Sequence, residues 1–273
     1  MTEYEKYLFD LNGYVVLEDV LTREQVQALN EAIDQMDVRP GKPGLDEGSE
    51  RLKGEHSRGD FAAGFNMPEP WCRPFRELMV LPAALRCMIA TIGDEFRFEG
   101  TQGITMTKGC EGQILHGGGV PHFPNLEQGF YHRFENGHMR NGLMAISYLL
   151  SDAGPEDGGF CCIPGSHKAN YDCTWEVRRM EKGAEFVRQI SAKAGSAILF
   201  TEALTHGALP WTGDRERRVL IYRYQPGPLS VGRPVPAGHF EEIAALSPLH
   251  RALLEPPYLP DRPNIAELLE EAQ

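Results

Sequence analysis

The chain has 273 residues, of which 41% are hydrophobic and 24% are charged, and this composition excludes wholesale disorder. Its formal net charge of -12 argues against non-specific binding to nucleic acid or to an anionic membrane surface. No apolar run approaches the roughly 20 residues of a membrane helix, and the six cysteines form no CxxC pair. We therefore expect a single domain over residues 1–273 in a cytoplasmic setting, with neither nucleic acid nor membrane as a partner.

The amino-terminal part, residues 1–95, is predicted to be largely helical. Helices are expected at 4–10, 22–36, 74–80 and 82–92. In the second of these, Thr22 followed by Gln25 resembles a capping box. Residues 13–17 are apolar and β-branched behind a glycine, and they predict a short strand. The stretch 38–66 is rich in Gly, Pro and charge, and we expect a long loop there, either a lid over a site or a solvated surface excursion.

The sequence pattern is different in residues 96–225. Short apolar segments alternate there with Gly, Pro, Asp and Asn, and no helical patterns lie between them. Strands are predicted at 96–100, 103–107, 113–116, 143–150, 159–163, 186–190, 197–200 and 219–224. Many short strands of this kind favour an antiparallel sandwich or barrel over a parallel βαβ fold. Residues 226–273 return to helix and proline-rich coil, so the fold class is mainly β with flanking α-helices.

Two of the nine histidines stand out by their position on predicted strands. His116 ends the strand 113–116 and runs into three glycines, which allow another group to approach the backbone closely. His206 follows the strand 197–200. Histidines at the ends of two strands can converge, and imidazole suits a transition metal such as iron, so we predict that both bind a metal. Three other histidines precede Leu143, and we expect them on a surface loop, although one of them could instead face a substrate: His122, His132 and His138.

Arg217 begins a predicted strand, eleven residues after His206. A guanidinium group can hold a carboxylate through two hydrogen bonds, as it would hold the far end of 2-oxoglutarate. Two arginines beside a strand could equally be solubilising charge. Together with the two histidines, Arg217 is predicted to bind the co-substrate.

Several ordered landmarks resemble the phytanoyl-CoA dioxygenase family. They are His116, the phrase Gly158–Lys168, the His206-Gly207 step, Arg217 and, near the amino terminus, Phe9–Leu17. The likeness spans about residues 8 to 225. It implies a double-stranded β-helix, a jelly roll of the cupin kind, that uses Fe(II), 2-oxoglutarate and dioxygen to functionalise an unactivated C–H bond of a small molecule. It also implies that His167 is a landmark of the fold and not an iron ligand.

One position departs from the family pattern, because Gly118 stands two residues after His116, where the family has an iron-binding aspartate. Glu202, four residues before His206, could supply a carboxylate instead. An anion such as chloride could bind there, as in the related radical halogenases, so that halogenation replaces hydroxylation. A degenerate pocket would leave a non-catalytic, metal-binding cupin-like module. A metal-dependent hydrolase could also use two histidines, although it would need no clamp such as Arg217.

Overall fold

The computed structural model describes residues 1–44, 49–118, 130–232 and 246–272. The helices in these ranges are α1 (Glu3–Asn12), α2 (Arg23–Ile33), α3 (Arg73–Met79), α4 (Pro82–Thr91), α5 (Trp175–Arg178), α6 (Pro248–Leu253) and α7 (Ile265–Glu271). The strands are β1 (Tyr14–Leu17), β2 (Gly59–Phe61), β3 (Phe96–Met106), β4 (Gln113–His116), β5 (His132–Glu135), β6 (His138–Asn141), β7 (Met144–Leu149), β8 (Gly159–Cys162), β9 (Arg188–Gln189), β10 (Ala197–Thr201), β11 (His206–Leu209) and β12 (Arg217–Pro226). No helix in the described ranges is long and apolar enough to cross a membrane.

Two antiparallel sheets form the body of the molecule. The larger has the strand order β1-β10-β7-β12-β3-β2, and the smaller has the order β4-β11-β8-β9. Strands β5 and β6 pair separately as a hairpin. Neighbouring strands are distant in sequence, as in a jelly roll, and the predicted mainly β fold is confirmed.

The larger sheet has two different apolar faces, because side chains alternate along each strand. On β12, Val219 and Ile221 belong to the core between the sheets, whereas Leu220 and Tyr222 face the layer of helices. The hydroxyl of buried Tyr222 donates to the carbonyl of Phe75 in α3 at 2.7 Å, which ties the helical layer to the sheet. The same alternation places Arg217 and Arg223 on the face between the sheets.

Local sequence signals located most elements correctly. The capping box of α2 is present, with both Thr22 and Gln25 making the expected hydrogen bonds. The two strands predicted at 96–100 and 103–107 are one strand, β3, because Gly103 does not end it. A side chain at Gly103 would collide with the ring of Phe61, so this glycine makes room for β2. Strand β2 itself lies inside the stretch predicted to be a loop.

Candidate functional site

His116 and His206 lie side by side on neighbouring strands of the smaller sheet. They are directly paired in the antiparallel register of β4 and β11, with ring centroids 4.3 Å apart. The pairing shifts between His206 and Ala208, which marks a local irregularity next to the site. The structure therefore brings together the two histidines that the sequence singled out, and His206 begins a strand that the sequence did not predict.

Both rings are held by the same kind of hydrogen bond. The Nδ1 atom of His116 lies 3.2 Å from the carbonyl oxygen of Ile114, and that of His206 lies 2.7 Å from the carbonyl oxygen of Leu204. A carbonyl only accepts, so Nδ1 carries the proton and Nε2 keeps its lone pair in each neutral ring. Burial lowers the pKa of His116 to about 3 and also lowers the pKa of His206. Both rings are thus neutral near pH 7 and suited to bind a metal through Nε2.

Arg217 lines the same cavity as the two histidines, at the start of β12. It is 6% exposed, and its Nη1 lies 3.3 Å from the sulfur of Met106. Among the described residues no carboxylate forms an ion pair with it, and Cys110 and Cys161 lie close instead. Burial lowers its pKa to about 10, so the guanidinium is still charged at neutral pH. A buried cation with no anionic partner is costly, and the cavity is therefore suited to an anionic ligand.

Glu202 is a buried carboxylate on the side of His206 that carries the free lone pair. Its Oε2 lies 3.6 Å from Nε2 of His206, and its Oε1 accepts a hydrogen bond from Nε of Arg223 at 2.9 Å. Arg223 also donates from Nη2 to Oε1 of Gln102 at 3.3 Å. Burial alone would raise the pKa of Glu202, but the positive charge of Arg223 and its hydrogen bond to the carboxylate lower that pKa below its ordinary value.

Gly118 contacts the backbone of Glu202. Its φ of +62° is in the left-handed region, and its N–H donates to the carbonyl of Glu202 at 2.9 Å. A Cβ at this position would lie 3.4 Å from the carbonyl oxygen of Ala203 and 3.8 Å from Oγ1 of Thr205. Within the described ranges, no group of three or more His, Cys, Asp or Glu side chains is arranged as it stands to hold a metal.

The other histidines that the structure describes lie apart from this pair. His132 was predicted to lie on a surface loop, and this is wrong: its side chain is 3% exposed and sits in the β5–β6 hairpin, 2.9 Å from Oδ1 of Asn141. It lies 4.7 Å, between ring centroids, from His167, whose Nε2 lies 3.0 Å from the carbonyl oxygen of Asp10. His138 is exposed as expected, and His122 lies outside the described residues.

Sequence reasoning did not single out Arg223. Its signal was present, because positions 217, 219, 221 and 223 share one face of β12 and the two arginines therefore face the same cavity. The signal could be used only if the inner face of this strand and its placement beside the two histidines were known. Neither is fixed by local sequence.

A family model identifies the family of the chain, and solved structures show its fold. The family model for phytanoyl-CoA dioxygenase (PhyH) matches residues 9–219, and no curated protein matches the chain. HygX from Streptomyces hygroscopicus, crystallised with nickel, 2-oxoglutarate and hygromycin B, is 21% identical, with a TM-score of 0.68 over 86% of this chain and 91% of HygX.

Two proteins of nogalamycin biosynthesis have a similar structure. The non-heme alpha ketoglutarate dependent epimerase SnoN is 18% identical, with a TM-score of 0.57 over 83% of both chains. The non-heme alpha ketoglutarate dependent carbocyclase SnoK is 15% identical, with a TM-score of 0.57 over 91% of this chain and 92% of SnoK. At such identities the likeness establishes the shared jelly-roll fold.

Proposed function

Because the chain belongs to the phytanoyl-CoA dioxygenase family, we propose that it is an oxygenase dependent on Fe(II) and 2-oxoglutarate that hydroxylates an unactivated C–H bond of a small molecule. The observation that carries this proposal is the buried guanidinium of Arg217, which has no carboxylate partner among the described residues, in the cavity that His116 and His206 line. A bound metal would not by itself account for a buried cation next to the two histidines. A co-substrate with a second carboxylate explains why the guanidinium is there, because that carboxylate would bind it.

Each of these residues has a defined task in the proposal. The Nε2 atoms of His116 and His206 bind the iron, because Nδ1 of each ring is committed to a backbone carbonyl. Arg217 holds the distal carboxylate of 2-oxoglutarate. The rings of Phe160 and Phe200 lie with centroids 5.9 and 4.7 Å from that of His206, and they fix its orientation and keep water away. The bound iron and co-substrate supply the activation of dioxygen.

The substrate is proposed to be a small molecule that enters beside the metal. HygX has been crystallised with hygromycin B, and SnoN with nogalamycin RO, and both proteins share the fold of this chain. We extend from them only the general class of substrate, because pockets on one fold bind many different molecules.

Halogenation is a second candidate, and Gly118 is the observation that favours it. Without an aspartate at this position, iron bound by two neutral imidazoles keeps a positive charge that a halide could offset. Hydroxylation and halogenation then differ only in the group that is transferred to the substrate carbon. Binding of chloride to the metal distinguishes the two candidates.

The test is the visible absorption spectrum of the protein under anaerobic conditions, as Fe(II) and then 2-oxoglutarate are added. We expect a weak charge-transfer band that appears only when both are present. In Arg217→Met, half of the full band intensity should be reached only at a higher concentration of 2-oxoglutarate. Arg215→Met, whose side chain is 81% exposed two residues earlier, should behave like the wild type. Folded protein that gives no band would refute the proposal, and a band that moves when sulfate is replaced by chloride would select halogenation.

A further inference from the structure

We propose that Glu202 is the third protein ligand of the metal and replaces the aspartate that the family carries at the position of Gly118. This inference rests on the proposed function, since it concerns the same iron. It differs from the family pattern in the residue that supplies the carboxylate and in its place in the chain.

The first step of the argument is the backbone contact between the two positions. The N–H of Gly118 donates to the carbonyl of Glu202 at 2.9 Å, so the residue that lacks a carboxylate and the residue that has one are directly hydrogen-bonded neighbours. Each lies close in sequence to one histidine of the pair: Gly118 follows His116 by two residues and Glu202 precedes His206 by four. Loss of a carboxylate on one side of this contact is thus matched by a carboxylate on the other side.

The second step is the direction of the side chain. Oε2 of Glu202 lies 3.6 Å from Nε2 of His206, the nitrogen whose lone pair is free, and not from Nδ1, which bonds the carbonyl of Leu204. Two ligand atoms at right angles about one ion lie about 3.0 Å apart when each bond is about 2.1 Å long. The observed separation is longer by about half an ångström, which agrees with the lack of a ready three-ligand group among the described side chains. The flexible glutamate side chain can make up such a difference by torsion alone.

The third step is the charge. Glu202 is buried and paired with Arg223, but the hydrogen bond from Nε of Arg223 uses only Oε1. A carboxylate has about four lone-pair sites, so Oε2 can bind a metal while Oε1 stays on Arg223. Arg223 is held in turn by Gln102, and the pair thus forms a fixed support for the carboxylate. With Glu202 as an anionic ligand, iron does not need a halide to offset its charge.

The experiment measures metal affinity, with Co(II) or Ni(II) as the probe and calorimetry under anaerobic conditions as the readout. Glu202→Gln should weaken metal binding by more than about 100-fold, because loss of a supporting group outside the ligand set costs about 10- to 100-fold and loss of a ligand should cost more. Glu202→Asp keeps the charge and should recover part of the affinity. Glu99→Gln, which changes another carboxylate paired with an arginine, Arg97, but outside this cavity, is the matched control and should bind like the wild type.

A second variant guards against loss of folding. Glu202→Gln leaves the partly buried Arg223 beside a neutral group, so the double variant with Arg223→Gln removes both charges and should show the same loss of metal affinity with a normal circular dichroism spectrum. The d–d absorption of bound Co(II) should also change in both variants, which a purely structural role would not cause.

The inference is overturned if Glu202→Gln binds metal within about 10-fold of the wild type, which is less than even a supporting group commonly contributes. A chloride-dependent rise in wild-type affinity at constant ionic strength would overturn it as well, because a halide would then occupy the third position. Either result would leave the proposed function intact if His206→Ala still abolishes metal binding. Absence of metal binding in the wild type would instead refute the proposed function and this inference together.

Discussion

Replacement of Arg217 by methionine should stabilise the ligand-free protein and weaken the stabilisation that 2-oxoglutarate provides. The guanidinium is 6% exposed and lacks a carboxylate partner in the described part of the chain, and burial lowers its pKa to about 10. The lowering from the ordinary value corresponds to a cost of about 3 kcal/mol for keeping the charge in the folded protein. Methionine fills similar space beside Met106 without that cost.

Part of this gain will be offset by imperfect packing, so we expect Arg217→Met to raise the free energy of unfolding by about 1 to 3 kcal/mol. The melting temperature should rise by about 2 to 4 °C for each kcal/mol in a domain of this size. The wild type should gain about 2.7 kcal/mol when Ni(II) is bound and 2-oxoglutarate is present at 100 times its Kd, whereas the variant, which binds 2-oxoglutarate more weakly, should gain much less at the same concentration.

The assay is thermal unfolding followed by circular dichroism, with Ni(II) alone and with Ni(II) plus 2-oxoglutarate. Arg215→Met is the control, because this exposed arginine should change stability by less than about 0.5 kcal/mol and leave the ligand response intact. The reasoning would be refuted by a destabilised Arg217→Met variant that 2-oxoglutarate still stabilises, since Arg217 would then serve the fold and not the co-substrate.

Three further predictions concern the surroundings of the site. Burial lowers the pKa of His167 to about 4, in a setting that His132, Asp10 and Lys168 share. The neutral ring should therefore contribute about 2 to 3 kcal/mol to the free energy of unfolding above pH 6.5, and this contribution should be lost as the pH falls toward 4. In urea unfolding, the stability of His167→Asn should depend less on pH than that of the wild type, and an equal dependence would contradict this. Gly13→Ala should destabilise by about 1 to 3 kcal/mol, because Gly13 has a φ of +79° and its Cβ would lie 2.5 Å from Nδ1 of His167; Gly137→Ala, with a φ of +80° and no neighbour within 4 Å, should cost less in the same measurement, and an equal cost would rule out the clash. Gly118→Asp should leave the metal affinity of the wild type unchanged, because Glu202 already supplies the third ligand, but it should restore part of the affinity that Glu202→Gln loses. Calorimetry measures both, and a gain in the wild-type background would show that a third ligand was missing.

The sequence by itself determined the elements whose signals are local. Thr22 and Gln25 marked the start of α2 because a capping box involves only the first turn of a helix. The apolar segments between glycines and prolines located β4, β7, β8 and β10 to within one or two residues. The order of His116, the Gly158–Lys168 phrase, His206 and Arg217 was enough to indicate the family, because such landmarks can be read along the chain.

Only the tertiary structure decided which of these residues meet and what surrounds them. The register that pairs His206 with His116 joins strands about 90 residues apart, and a shift of one residue would turn either ring to the other face. The burial of Arg217 without a carboxylate partner in the described ranges depends on contacts between distant segments, and so does the hydrogen bond of Gly118 to Glu202. Local sequence cannot specify them, because burial and charge pairing arise only when separate strands pack into one core.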